Sequence, residues 1–192
     1  MSKGRLEAFS DGVLAVIITI MVLEMKAPAG HEWSDLGSLW PVFVSYVLSF
    51  VFLGIYWNNH HHLLQAVKLV NGRVLWANLH LLFWLSLTPF VTSWIGESHF
   101  ASTPVAVYGA VLLCSGIAYT ILVLTLVALH GKDSTVAVAS GRDFKGKVSI
   151  ALYAAGIPLA FVYPWASCAL YGSVAIMWLV PDRRLEKALL AE

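Results

Sequence analysis

The residues with chemistry to offer gather in three short stretches: Arg5, Glu7, Ser10 and Asp11 near the start, then Asn58-Asn59-His60-His61-His62, and then Asn78 and His80. Three imidazoles and nearby carboxylates first raise the question of a metal site. Adjacent helical positions diverge by about 100°, so consecutive histidines cannot meet at one point, and no Cys or suitably spaced acidic ligand accompanies them. The sequence therefore predicts no metal and no cofactor. It also has no phosphate-cradling glycine loop and no nucleophile elbow, which argues against an enzyme. What remains is hydrogen bonding. Histidines inside a membrane commonly bond across helices, and Asp11 near the inner end of a spanning helix needs water, a cation or hydrogen-bond donors, since an unpaired carboxylate removed from water is very costly.

The elements that position these groups must sit in lipid. Of 192 residues, 59% are hydrophobic and 12% charged, and eight are Trp; a water-soluble domain exposes far more charge. A hydrocarbon core about 30 Å thick takes roughly 20 apolar residues per helical crossing. Stretches of that kind recur over residues 6–25, 39–64, 73–94, 104–129, 147–163 and 165–180. The expected fold is all-α and integral to the membrane, with six transmembrane helices in one domain over residues 1–192. Tyr163-Pro164-Trp165 predicts a tight reversal at the water–lipid boundary, and Pro89 and Pro158 predict kinks in the third and fifth spans. Ala106 with Ala110, and Ala151 with Ala155, put small residues one turn apart for close helix packing. Cys114 and Cys168 lie in apolar spans and read as small hydrophobes without a disulfide.

Charge sets the orientation. Lys3, Arg5, Lys68, Arg73, Lys132, Arg142, Lys145, Lys147, Arg183, Arg184 and Lys187 fall on one predicted face, and Lys26 alone falls opposite. Lys and Arg are retained on the cytoplasmic side during insertion, which puts both termini in the cytoplasm and the chain, as a multi-pass protein, in the inner cell membrane. These basic residues thus read as topology, with no nucleic-acid partner. Glu24, Glu32, Asp35 and Glu97 fall on the outer connections, where they would attract cations. The N-terminus loosely imitates a signal peptide through Lys3, Arg5, the apolar run 13–23 and Ala27-Pro28-Ala29. Glu7, Asp11 and Glu24 interrupt that pattern, so the segment is expected to be the first crossing.

Between Gly12 and Glu24 the only polar residue is Thr19, and at about 100° per residue Gly12, Val16, Thr19 and Leu23 share one narrow stripe. Such a stripe by itself suits packing against a neighbouring helix, with Thr19 bonding its own backbone; Asp11, a carboxylate near the inner end of the same helix that needs water, a cation or hydrogen-bond donors, points beyond packing. The run Arg5-Leu6-Glu7-Ala8-Phe9-Ser10-Asp11-Gly12, continued by apolar residues to Glu24, resembles the first helix of the transmembrane protein 175 family, whose bacterial members are potassium channels.

The resemblance implies a homotetramer of six-helix subunits in the lipid bilayer, with four copies of the first helix around a central pore and potassium as the permeating ion. It puts the constrictions at Val16, Thr19 and Leu23, with Ile20 contributing if the helix is rotated slightly, and potassium partly dehydrated near Thr19. An apolar ring can gate by dewetting, and a ring of hydroxyls offers oxygen ligands. The chain lacks the Thr-Val-Gly-Tyr-Gly loop of carbonyl filters. The innermost constriction, usually Ile or Leu in the family, is the smaller Val16 here, so the gate is expected to be wider. By the same resemblance Arg5, Phe9, Ser10, Asp11 and Gly12, with Trp57, His61, Asn78 and His80, are expected to form a supporting polar network in which the last four donate to Ser10 and Asp11 and keep Asp11 ionised without a metal. The function so read is a leak-type potassium-selective channel. The alternative, an ion-coupled secondary transporter, would show internal repeats and midplane carboxylates, whereas Glu7, Asp11 and Glu24 lie near helix ends.

Overall fold

The computed structural model describes residues 2–28, 30–131, 134–140 and 143–179, all of it helix and connecting turns. Lys132, Arg142, Arg183, Arg184 and Lys187 of the predicted basic face, and Val180 at the end of the sixth predicted span, lie outside the described residues. The helices run α1 (Lys3–Leu23), α2 (Trp33–Gly37), α3 (Trp40–Gln65), α4 (Gly72–Ser86), α5 (Thr88–Glu97), α6 (Ser102–His130), α7 (Thr135–Ser140), α8 (Phe144–Leu159) and α9 (Pro164–Leu179).

Among the described residues, four helices are long and apolar enough to cross a membrane: Lys3–Leu23, Trp40–Gln65, Ser102–His130, and Gly72–Glu97, which joins α4 to α5. The α4–α5 break falls at Leu87, just before Thr88-Pro89, where Pro89 has no amide to give the preceding turn. Pro158 behaves differently from expectation. It occupies the last turn of α8 and precedes the helix end at Leu159, so it helps terminate the helix instead of bending its middle. α8 has 16 residues, about 24 Å of helix at 1.5 Å per residue, less than a bilayer core of about 30 Å; α9 runs to Leu179, where the described residues end. The reversal between them spans residues 160–163, with Pro164 opening α9. Two short helices interrupt segments read as loops, α2 between the first two long helices and α7 between α6 and α8.

Lipid is as apolar as leucine, so helices in a membrane associate through tight packing and polar contacts rather than by escaping water. The bundle has both. Gly96 lets α5 approach α3 closely, since a Cβ there would stand 2.7 Å from the Val42 Cα. Gly109 of α6 and Gly156 of α8 leave the space that the Tyr171 ring fills. Across α3, α5 and α6, Thr92 donates to Ser49 Oγ at 2.6 Å or to the Thr88 carbonyl at 2.6 Å, and Ser49 pairs with the Tyr108 hydroxyl at 2.9 Å.

Two apolar clusters result. One joins α1, α4, the C-terminal halves of α3 and α6, and Val136 of α7; the other joins α5, α8, α9 and the remaining halves of α3 and α6. At the end of the bundle that carries the N-terminus, His130 closes the α3–α4 connection. Its Nε2 accepts from the Lys68 and Leu69 amides at 3.2 and 3.1 Å, and its Nδ1–H donates to the Leu126 carbonyl at 3.0 Å.

Candidate functional site

α1 has two unlike faces. Leu6, Ser10, Leu14, Ile17 and Met21 are buried against α3, α4 and α5 at spacings of three and four, the signature of a packed helical stripe. Phe9, Val16, Ile20 and Leu23 point away, with Val16 54% and Leu23 77% exposed, and Gly12 and Thr19 are exposed with them. The predicted stripe of Gly12, Val16, Thr19 and Leu23 therefore lies wholly outside the packing of this subunit. An open groove follows this face, with Phe9, Gly12, Val16 and Ile20 on one wall, Pro89, Phe90 and Trp94 of α5 on the other, and Glu24 and Glu97 both lining it. Thr19 donates its hydroxyl proton to the Val16 carbonyl at 2.9 Å, which leaves the oxygen lone pairs outward.

Behind the packed face, polar groups from three helices meet. The Ser10 hydroxyl, fully buried, donates to the Leu6 carbonyl at 2.9 Å, and Asn78 Nδ2 donates to Ser10 Oγ at 2.9 Å. Asn78 Oδ1 is thereby turned to His60 Nε2 at 2.7 Å. This bonding pattern assigns the His60 proton to Nε2 as donor. The Nδ1 atom of the same ring is buried with no partner among the described residues. Nearer the surface, Trp57 Nε1–H donates to Asp11 Oδ1 at 3.1 Å, and His61 stacks on Trp57 with its Nδ1 3.5 Å from Glu7 Oε1.

Of the four residues expected to reach Ser10 and Asp11, Asn78 bonds the first and Trp57 the second. His61 reaches Glu7 instead. His80 reaches neither: it lies two residues past Asn78, about 200° around α4, on the exposed face, where it accepts from Trp84 Nε1 at 2.9 Å. Arg5 is exposed, and its guanidinium makes no hydrogen bond or ion pair among the described residues. The residue that sequence reasoning passed over is His60. α3 is apolar nearly all round, so its periodicity does not say which histidine of the run faces inward. The signal that was available is Asn78, a buried amide that must have partners.

A helical membrane bundle with one face of its first helix packed on polar groups and the other left apolar and open defines a class of subunit whose first helix has a surface to spare. The family model described as "Endosomal/lysosomal potassium channel TMEM175" matches residues 5–89. A potassium channel of Chryseobacterium sp. strain P1-3 is 57% identical over 98% of both chains. One from Streptomyces collinus is 34% identical over 92% of this chain and 91% of its own. Among solved structures, the crystal structure of a lysosomal potassium-selective channel TMEM175 homolog from Chamaesiphon minutus superposes with a TM-score of 0.79 at 28% identity, covering 94% of this chain and 97% of that one. The chain belongs to the TMEM175 family.

Proposed function

We propose that this chain is a leak-type, potassium-selective channel, and that four copies assemble in the inner cell membrane around a pore lined by α1. The observation that carries the reading is the exposed face of α1: Val16, Thr19, Ile20 and Leu23 project from a long membrane helix whose opposite face is already satisfied. Relatives named as potassium channels support the choice of ion. In this reading Leu23 and Val16 form apolar rings that control wetting, and Ile20 adds to the wall. Thr19 supplies oxygen ligands to a partly dehydrated potassium ion, its proton being held by its own backbone. The smaller Val16 makes the inner ring wider.

Ser10, Asp11, Trp57, Asn78 and His60 brace this helix. The Asp11 carboxylate accepts from Trp57, tying α1 to α3, and the Ser10–Asn78–His60 chain fixes the rotation of α1 so that the stripe faces the axis. Phe9 and Gly12 sit on the open side of the same motif. Both termini are cytoplasmic, consistent with Lys3, Arg5, Lys68 and Arg73 at the N-terminal end of the bundle. α8 and α9 serve as the fifth and sixth crossings, the shortness of α8 accommodated by local bilayer thinning and by exposed Tyr163 and Trp165 at the interface. No cofactor takes part, and potassium is the only ligand required.

Single-channel recording of purified protein in planar bilayers, under potassium and sodium gradients, tests the reading. Discrete unitary currents with a potassium reversal potential are expected. Flux limited by turnover, without unitary steps, would make the chain a transporter. Unchanged conductance and selectivity in both Thr19→Ala and Leu23→Ala would remove α1 from the pore.

A further inference from the structure

At the end of the bundle that carries the N-terminus, a second open groove runs between the start of α4 and the last turns of α6. Asn71 and Arg73 form one wall, and Ile121, Leu124, Thr125 and Ala128 form the other. Leu124 is 61% and Ile121 40% exposed, so the floor is an uncovered apolar strip on a membrane-crossing helix. Arg73 is exposed, and among the described residues its guanidinium has no carboxylate or carbonyl partner. Among the described residues no acidic side chain lines the groove. Thr125 turns its hydroxyl proton to the Ile121 carbonyl at 2.7 Å, which removes that donor from the floor and leaves its methyl group. The wall bearing Arg73 is held in place, because His130 pins the Lys68 and Leu69 amides and Asn71 caps α4 through the Val74 amide at 3.0 Å.

We infer that this groove binds one anionic phospholipid, its phosphate on Arg73 and an acyl chain along Ile121, Leu124 and Ala128. A planar guanidinium with no partner among the described residues is matched to a phosphate, which it can hold through two parallel N–H···O bonds. An apolar strip leading away from that cation at membrane depth is matched to a hydrocarbon chain, and the two together are the chemistry of a lipid and not of a free anion. The exposed Lys68, in the connection leading to α4, adds to the positive field at the headgroup level. The inference rests on the proposed membrane placement but not on conduction.

The test is lipid retention by the purified full-length protein, read by native mass spectrometry after exchange into mixed micelles holding equal phosphatidylglycerol and phosphatidylcholine. It needs no current, so a silent channel still reports on the groove. Wild-type protein is expected to keep phosphatidylglycerol in preference. Arg73→Gln should weaken that preference about five-fold, the effect typical of one basic residue at an anionic surface. Arg73→Lys should retain most of it, and Lys147→Gln, a change at an exposed cation outside the groove, should leave it intact. Leu124→Trp, which fills the floor with Arg73 unchanged, should lower retention of both lipids at this site and serves if the Arg73 variants misfold. Equal preference in wild type and Arg73→Gln would overturn the inference. So would displacement by millimolar inorganic phosphate, which would make it a free-anion site, or an Arg73→Gln that separates the oligomer without altering lipid preference, which would make the groove a contact with a second copy.

Discussion

The two faces of α1 have almost the same composition and opposite fates. Leu14, at 1% exposure, and Leu23, at 77%, sit nine residues apart on one helix. The first is enclosed by the cluster that joins α1, α3 and α4, and the second touches little of its own subunit. In a membrane both are compatible with their surroundings, so hydrophobicity alone does not separate a structural leucine from a functional one. Packing does.

That contrast can be broken most sharply by truncating both residues. Leu14→Ala should cost about 2–5 kcal/mol through lost contacts and the cavity left behind. Its melting temperature in detergent should fall clearly, with conductance per surviving channel little changed. Leu23→Ala should stay within about 0.5 kcal/mol of wild type while raising unitary conductance, since a ring of bulky side chains is removed. Equal melting shifts in the two variants would show that the faces are not as different as their exposures.

Asn78→Ala comes next. It removes the acceptor for His60 Nε2–H and the donor to Ser10 Oγ, leaving buried polar groups unpaired at about 1–3 kcal/mol. Because these bonds fix the rotation of α1, unitary current amplitude should broaden as well. Asn78→Ala with a wild-type melting temperature and uniform currents would deny the brace. His80→Ala, on the other face of α4, is the matched control and should do neither.

Much of this fold is visible in the sequence because a bilayer enforces length: the long helices lie close to the apolar runs, and the break at Leu87 follows from Pro89. The short α2 was not legible. Its start depends on Asp35 accepting the Glu32 amide at 2.9 Å, a local bond that a polar loop sequence does not single out. The stripe on α1 was legible as a stripe, but its outward direction was not, since Gly12, Val16, Thr19 and Leu23 and the buried set Leu6, Ser10, Leu14, Ile17 and Met21 are similarly spaced. The same loss of phase hid His60, whose helix is apolar on nearly every side. Helices that are amphipathic in water reveal their orientation, and helices in lipid do so only where a polar residue such as Ser10 or Asn78 must be buried with partners.

Thr19→Ala sharpens the comparison within the open face alone. The hydroxyl bonds only its own helix, and its loss should leave melting within about 0.5 kcal/mol. Its absence from a ring of four should lower potassium over sodium selectivity, measured as a shift of reversal potential toward zero under opposed gradients. A stability loss with unchanged selectivity would assign Thr19 to helix packing.

Gly12→Ala carries the smallest expected effect and isolates what the subunit itself requires. A Cβ at Gly12 meets nothing within 4 Å, whereas one at Gly109 would run into the Tyr171 ring. Gly109→Ala should therefore destabilise by about 1–3 kcal/mol through overpacking. Gly12→Ala should be neutral or slightly stabilising for the isolated subunit, since alanine is the better helix former by up to about 1 kcal/mol. The glycine of the Phe9-Ser10-Asp11-Gly12 motif is thus unexplained by the fold of one chain. If four copies of α1 converge near that point, the added methyl groups should weaken the tetramer, seen as a shift toward smaller species by light scattering, while the melting temperature of the subunit holds. A subunit that melts earlier with its assembly intact would mean that the open face of α1 is packed after all, and that the pore must be sought on another helix.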